Sequence, residues 1–128
     1  MLSKESILAT SGKRKTTKLK VKPWDGEVLI RGVSAGEMDH IESMLEAYNR
    51  DPMSITSGMR ATACAYFLAD ESGNRMFGDD EIDKLDALPA SGLTVVFNEG
   101  LRFNKRAASI DELEKNSEPT PGDSSGTS

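Results

Sequence analysis

The sequence is poor in the residues that build metal and catalytic sites. Its 128 residues include one cysteine, Cys64, and one histidine, His40. A lone cysteine excludes an internal disulfide and fits a reducing compartment inside a cell. Glu37 lies one helical turn before His40, but no second histidine or cysteine completes a zinc-ligand set. We therefore predict that Cys64 is a small buried side chain and that His40 is solvated on a helix face.

Long apolar runs and phosphate-binding loops are also missing. No run approaches the roughly 18 apolar residues that a membrane-spanning helix needs, and the first residues lack the apolar core of a secretory signal. Gly73 and Gly78 lack the lysine and the serine or threonine of a phosphate loop. No nucleophile, base and orienting group form a recognisable set. The sequence therefore predicts no enzyme, no cofactor, no metal and no membrane contact, and it identifies no partner-binding residues.

Charge is distributed unevenly along the chain. Residues 1–22 hold seven basic residues and one acidic residue, a net +6, whereas residues 23–128 hold nine basic and twenty acidic residues, a net −11. Six of the cations fall within Lys13–Lys22. A cluster of this kind can hold phosphates. One interpretation is thus a small regulatory or nucleic-acid-binding module that uses this basic arm.

The spacing within the arm favours another explanation. Its last three lysines, Lys18, Lys20 and Lys22, alternate with apolar residues, as on the exposed face of a strand. The aromatic platform that single-stranded nucleic acid requires is missing, with only Trp24 nearby. We therefore expect a polar hairpin face or a contact with an acidic protein, with nucleic acid as the disfavoured alternative.

The first half of the chain predicts a short helix, a β-hairpin and a longer helix. Ser3 can cap the helix in "LSKESILA". Residues 17–33 read as two strands joined by a turn at 23–26, where Gly26 can take positive φ. Ser34 and Glu37 form a capping box. The helix that follows has an apolar stripe and ends at Asp51-Pro52; the stripe is Met38, Ile41, Met44, Leu45 and Tyr48.

The second half predicts mainly helices. Residues 55–68 are apolar enough for a buried helix that ends near Ala69. A turn and a short extended piece that buries Met76 and Phe77 lead into the acidic helix "DEIDKLDAL". Pro89 suits the first position of a last helix, with Leu93, Val96, Phe97, Leu101 and Asn104 on one side. We predict an α+β domain over residues 1–104 and a flexible, disordered tail over 105–128, because "NSEPTPGDSSGTS" has almost nothing apolar.

The acidic stretch Asp70–Glu81 partly matches a calcium-binding EF-hand loop. Such a loop needs oxygen ligands at positions one, three, five and twelve, and glycine at position six. Here Arg75 occupies the sixth position and Gly78, without a side chain, the ninth. A structural reading explains more: Gly73 completes a turn, and the acidic residues from Asp79 lie in the first turn of a helix, where negative charge is favourable.

Four segments, in order, resemble tail assembly chaperones of lambda-like and related phages or prophages with long, non-contractile tails. In "DESGNRMFGDDEIDKLDALP" an Asp-x-x-Gly turn precedes an aromatic residue, acidic residues and a leucine-rich helix. "WDGEVLIRGVSAGEMD" resembles the family's hairpin and its capped helix. "LSKESILA" and "FNEGLRFN" are similar to the first and last helices, the latter closing on an asparagine. The resemblance covers roughly residues 1–104.

The resemblance implies a role without catalysis. Such chaperones act in the host cytoplasm, where they bind and solubilise the helix-rich tape measure protein, help recruit tail tube subunits, and leave before the virion is complete. Many are made in two lengths by a programmed −1 frameshift. Glu114-Lys115-Asn116 can be encoded by a slippery A-AAA-AAY heptamer, and a slip there would keep the predicted domain and replace only the tail. We therefore predict a minor, longer product.

Overall fold

The computed structural model describes residues 1–10, 15–54 and 58–116. The chain begins with helix α1 (Lys4–Ala9), followed by strands β1 (Thr16–Val21) and β2 (Gly26–Arg31) and helix α2 (Ala35–Arg50). Helix α3 (Met59–Phe67) runs directly into strand β3 (Leu68–Ala69). Helices α4 (Ile82–Asp86) and α5 (Ala90–Asn116) complete the fold. The predicted α+β class and the order of its elements are confirmed.

A three-stranded antiparallel sheet with the order β1-β2-β3 replaces the simple predicted hairpin. The hairpin itself is confirmed, and its register places Lys20 opposite Glu27. The third strand was not predicted; it pairs Leu68 with Ile30. An isolated bridge then joins Ala69 to Arg75, so the chain after α3 folds back along the sheet.

The hairpin turn differs from its prediction at Gly26. Residues Lys22–Trp24 form a 3₁₀ turn, and Asp25 takes the left-handed conformation with φ 53°. Gly26 is instead the first residue of β2. Aspartate tolerates the left-handed region better than most residues do, because its short side chain can bond locally. The positive φ therefore sits one residue earlier than expected.

Both predicted helix caps are present. The Ser3 side chain accepts a hydrogen bond from Ser6 N–H, 3.1 Å away, at the start of α1. Ser34 and Glu37 form the reciprocal capping box of α2, with bonds of 3.1 and 2.8 Å. Asp51 ends α2 before Pro52, as predicted. The capping box of α2 thus satisfies two backbone donors, and the Ser3 cap of α1 satisfies one.

The core lies between the inner face of the sheet and helices α2 to α5. Its largest fully buried side chains come from every layer: Phe67, Ile30, Ile41, Leu68, Leu85, Val21, Val96 and Cys64. Helix α5 approaches α3 closely, because a Cβ added at Gly100 would lie only 2.1 Å from the ring of Phe67. Glycine is therefore required there for helix packing. The last helix thus covers the middle of the core.

The last helix begins at Ala90, directly after Pro89, and its backbone continues to Asn116. This end lies beyond position 104, where the sequence places the end of the domain. The predicted domain division stays a prediction. The rest of the predicted tail, residues 117–128, falls outside the described part of the chain, as do Lys13 and Arg14 of the basic arm and the predicted helix start at Ile55. No helix within the described ranges has the length and apolar character to cross a membrane.

Candidate partner-binding surfaces

The acidic stretch from Asp70 to Glu81 is built as a turn and a helix start. Asp70 Oδ1 accepts hydrogen bonds from Ser72 N–H at 2.9 Å and from Asn74 N–H at 3.0 Å. Gly73 has φ 87°, which completes the predicted turn. Glu81 Oε1 accepts a bond from Gly78 N–H, 3.0 Å away. Asp70 and Glu81, the first and last residues of the EF-hand match, thus accept hydrogen bonds from nearby backbone N–H groups.

The remaining parts of this stretch are also structural. Arg75 Nη2 donates to Asp79 Oδ1 at 2.9 Å, and Arg75 Nε donates to the Ala65 carbonyl at 3.3 Å. Within the described ranges, no three His, Cys, Asp or Glu side chains group together as a metal site would require. Phe77 is partly buried, but the prediction for Met76 is wrong, because 45% of its surface is exposed. The chain turns Met76 away from the core and over the outer face of the sheet.

A polar cluster joins α2 to α3. His40 Nδ1 lies 2.8 Å from the Tyr66 hydroxyl, and the guanidinium of Arg75 lies 5.1 Å from the centre of the Tyr66 ring. Burial and the nearby Asp79 carboxylate raise the pKa of Tyr66, while Arg75 opposes them. His40 is exposed as predicted, but it also has this specific partner, which sequence reasoning missed. The cluster links α2 to α3.

Arg31 and Glu37 form a second polar link between the sheet and α2. Their side chains lie 3.3 Å apart and are only 7% and 18% exposed. Arg31 also donates to the Tyr66 carbonyl. Because Glu37 caps the helix as well, one carboxylate serves two elements. Glu37 was predicted as a capping residue. Its ion pair with Arg31 was not predicted, because the two residues meet only when the sheet packs against α2.

Cys64 is buried, as predicted, and burial raises its pKa from 9.0 to about 12. Its thiol donates to the Leu93 carbonyl, 3.3 Å away in α5. A thiol with so high a pKa is almost wholly protonated near neutral pH and is a poor nucleophile. Cys64 therefore acts as a core residue that links α3 to α5.

The basic arm, where it is described, forms the exposed face of an edge strand. Lys18 and Lys20 are exposed on β1, and the intervening Leu19 turns towards the core. Lysines on an edge strand discourage uncontrolled pairing with other chains. This observation gives the lysines a structural role and agrees with the predicted polar hairpin face.

An apolar groove lies between the second half of α2, the start of α3 and the middle of α5. It has a volume of about 420 Å³. Its apolar part consists of Leu45, Tyr48, Met59 and Phe97, and its polar surroundings include Asn49, Arg60, Asp86 and Asn98. Tyr48 is 42% exposed, whereas Ile41, two turns earlier on the same predicted stripe, is fully buried. The stripe of α2 therefore contributes to the core at one end and to a surface groove at the other.

Two further apolar surfaces are exposed. On the outer sheet face, Leu29 and Met76 line a depression of about 350 Å³ with the charged residues Lys18, Glu27 and Glu71 at its sides. In the first helix region, every residue from Met1 to Thr10 is exposed. The large apolar residues of that region are Met1, Leu2, Ile7 and Leu8, and the last three are 72%, 53% and 63% exposed. These surfaces are the candidate contact sites, and the sequence identified none of them.

Comparisons with known proteins show a shared fold. The tail assembly chaperone of bacteriophage HK97 superposes with a TM-score of 0.51 and 15% sequence identity, over 69% of this chain and 79% of that chain. No family model and no curated protein sequence matches the chain. At this level of identity the likeness extends to the fold. The arrangement of a small sheet backed by helices is thus one that a phage tail assembly chaperone also has.

Proposed function

We propose that this chain is a tail assembly chaperone of a phage or prophage with a long, non-contractile tail. The observation that carries the proposal is the fold shared with the bacteriophage HK97 chaperone. The ordered sequence segments that resemble the family also support it. In this role the chain binds and solubilises the tape measure protein, helps recruit tail tube subunits and stays in the host cytoplasm.

The exposed apolar surfaces suit an apolar, helical client. Methionine adapts to varied partners, and the chain has six methionines. Met53 is 91% exposed and Met76 is 45% exposed. An unusual amount of exposed apolar surface marks sites of protein association. These features favour a chaperone over an enzyme, for which the polar cluster and Cys64 offer no reactive group.

The proposal is tested by co-expression with the tape measure protein, whose gene we expect next to the gene for this chain. The soluble fraction of the tape measure protein should rise severalfold, and the two proteins should co-purify. A variant with Met53 and Met76 changed to aspartate is the control for apolar recognition and should solubilise less. If the soluble fraction does not change although both proteins are well expressed, the chaperone role is wrong.

The alternative function, a regulatory or nucleic-acid-binding module that uses the basic arm, can be tested separately. Salt-dependent retention of the chain on DNA, lost when Lys18 and Lys20 are changed to glutamine, would favour the regulatory or nucleic-acid-binding module. We expect no such retention, since these lysines form the face of an edge strand.

The longer product is part of the same proposal. Mass spectrometry of the lysate should find peptides that cross from this frame into the −1 frame after about residue 115. An AAG codon for Lys115 would disable this slip site and leave the chaperone role unaffected.

A further inference from the structure

Strand β1 leaves one edge of the sheet open. It pairs with β2 on one side and stands first in the order of the sheet. The opposite edge is short, because β3 has two residues, and the chain that follows pairs with it through the bridge from Ala69 to Arg75. The edge of β1, in contrast, is six residues long. Proteins commonly shorten or cover such edges, because free backbone groups can pair with another chain.

The register shows which backbone groups of β1 point towards the open edge. Gly32 N–H donates to the Lys15 carbonyl at 2.8 Å, so Lys15 is bonded towards β2. Bonded and non-bonded positions alternate along an antiparallel pair. The N–H and C=O groups of Thr16, Lys18 and Lys20 therefore point away from β2. No described residue hydrogen-bonds to these groups, which leaves them available to an added strand.

The side chains along this edge are basic. Lys18 and Lys20 are exposed on the outer face of the strand. Within the described ranges, neither lysine takes part in an ion pair. The carboxylates that share the outer face, Glu27 and Glu71, lie on the β2 side of these lysines, away from the open edge. An acidic segment beside β1 therefore meets cations that have no partner on that side.

The alternation along β1 also defines the apolar half of a ligand. Leu19 points to the inner face and is only partly buried, at the margin of the core. Successive side chains of an added strand also alternate between the two faces of the sheet. Acidic side chains on the outer face complement Lys18 and Lys20, and apolar side chains on the inner face extend the contact of Leu19.

The lysines argue against a second copy of this chain as the occupant. Two β1 edges that paired with each other would bring the lysines of both copies together, and like charges across a strand pair are destabilising. The basic edge thus disfavours pairing with its own kind and selects an acidic strand.

We propose that the open edge of β1 binds an extended segment of a partner protein in which acidic side chains alternate with apolar ones. The segment joins the three-stranded sheet as a further strand. Its backbone hydrogen bonds to Thr16, Lys18 and Lys20 supply affinity, and the lysine side chains supply selection. This contact is separate from the apolar surfaces proposed above for the tape measure protein, and it does not rest on the proposed function.

Amide hydrogen exchange of the full chain with a synthetic peptide tests the contact. The peptide is one strand long, and glutamate alternates with valine along it. In the free chain the N–H groups of Lys18 and Lys20 should exchange fast and that of Leu19 slowly, because only Leu19 is bonded to β2. The peptide should slow exchange at Lys18 and Lys20 by about tenfold or more and leave Leu19 unchanged. A peptide of the same composition in scrambled order is the matched control.

Substitutions separate the backbone contribution from the charge contribution. Lys18→Pro removes an N–H that points to the open edge, where proline is tolerated, whereas Lys18→Gln removes only the charge. Each should weaken peptide binding by about tenfold. Lys84→Gln changes an exposed lysine on α4 and should bind the peptide as the native chain does. Slow exchange at Leu19 shows that each variant keeps its hairpin.

Peptides with methylated amides test the backbone bonds without changing the protein. One peptide carries N-methyl groups on its glutamates and the other on its valines. Because alternate amides of a strand point to opposite edges, one of the two should lose binding and the other should keep it.

Two results overturn the proposal. Fast exchange at Lys18 and Lys20 in millimolar peptide, with Leu19 still protected, would show that the edge accepts no strand. Equal protection by the scrambled peptide or by single-stranded DNA would show that the edge attracts negative charge alone, and in the case of DNA it would favour the nucleic-acid-binding module. Neither result affects the solubility test with the tape measure protein.

Discussion

Asn104 in α5 holds the end of β2: its Oδ1 accepts a hydrogen bond from Val33 N–H, 2.9 Å away. Its Nδ2 donates to the Gly100 carbonyl at 2.9 Å and to the Arg31 carbonyl at 3.3 Å. One amide side chain therefore serves the backbone of the sheet and of the last helix. The sequence predicted Asn104 on the same side of this helix as its apolar residues. An amide suits this position because it can both accept from one backbone N–H and donate to two carbonyls.

We predict that Asn104→Ala lowers the free energy of unfolding by about 1–3 kcal/mol, because it leaves partly buried backbone groups without partners. Asn104→Asp should be at least as harmful, since a carboxylate cannot donate to the two carbonyls. Asn98→Ala on the same helix is the control and should have little effect, as Asn98 is exposed. Urea unfolding measures all three, and equal stability of the Asn104 and Asn98 variants would contradict this role.

The close approach of α5 to α3 gives a second prediction. A Cβ at Gly100 would lie 2.1 Å from Phe67 Cδ2, and Phe67 is fully buried. Gly100→Ala should therefore destabilise the protein by about 1–3 kcal/mol through overpacking. Gly36→Ala in α2 is the matched control, because the nearest atom would be 4.0 Å away, and alanine should raise helix stability there.

Thermal unfolding separates the two glycine variants. Gly100→Ala should lower Tm, and Gly36→Ala should leave Tm unchanged or raise it. If Gly100→Ala is as stable as the native chain, the packing of α5 on Phe67 is wrong.

The ion pair between Arg31 and Glu37 gives a third prediction. Glu37→Ala removes a partner of a nearly buried guanidinium and half of a capping box. We expect a loss of about 2 kcal/mol, combining a cap of about 1 kcal/mol with the cost to the buried charge. Glu46→Ala breaks the exposed pair with Arg50, whose side chains are 72% and 71% exposed, and should change stability by less than about 0.5 kcal/mol. Similar losses for both variants, measured by urea unfolding, would argue against the buried link.

The raised pKa of Cys64 predicts a loss of stability at high pH. The thiol has a pKa of about 12 in the folded chain and near 9.0 when exposed. Between these values the unfolded chain has released the proton and the folded chain keeps it, so stability falls as pH rises above 9.0. The slope from this group approaches about 1.4 kcal/mol per pH unit.

Cys64→Ala isolates this contribution. Burial also raises the pKa of Tyr66, which adds a fall of the same sign in both chains. Urea midpoints measured under reducing conditions from pH 8 upwards should converge between the native chain and the variant as pH rises. Parallel pH profiles would show that Cys64 is not buried as a neutral thiol.

The caps, the hairpin and the helix order were predictable because each depends on residues close in sequence. Strand β3 was not, since Leu68–Ala69 has only two residues, no turn residue separates it from α3, and its pairing requires distant Ile30. Met76 was predicted as buried from its apolar character, whereas its direction depends on the bridge between Ala69 and Arg75.

The candidate surfaces were still harder to predict. The apolar stripe of α2 was identified, but nothing local distinguishes buried Ile41 from exposed Tyr48. The difference depends on where α3 packs against α2, and this packing is set by contacts across the whole domain. For the same reason, nothing in the sequence of the first helix indicates that its apolar side chains stay uncovered.

Deletion of the gene from the phage or prophage that encodes this chain is the most direct test of the proposed role. Electron microscopy of the resulting particles should show filled heads without tails, and a plasmid copy of the gene should restore the tails. Purified normal virions should contain no trace of the chain by mass spectrometry. Tails of normal number and length in the deletion strain would contradict the account.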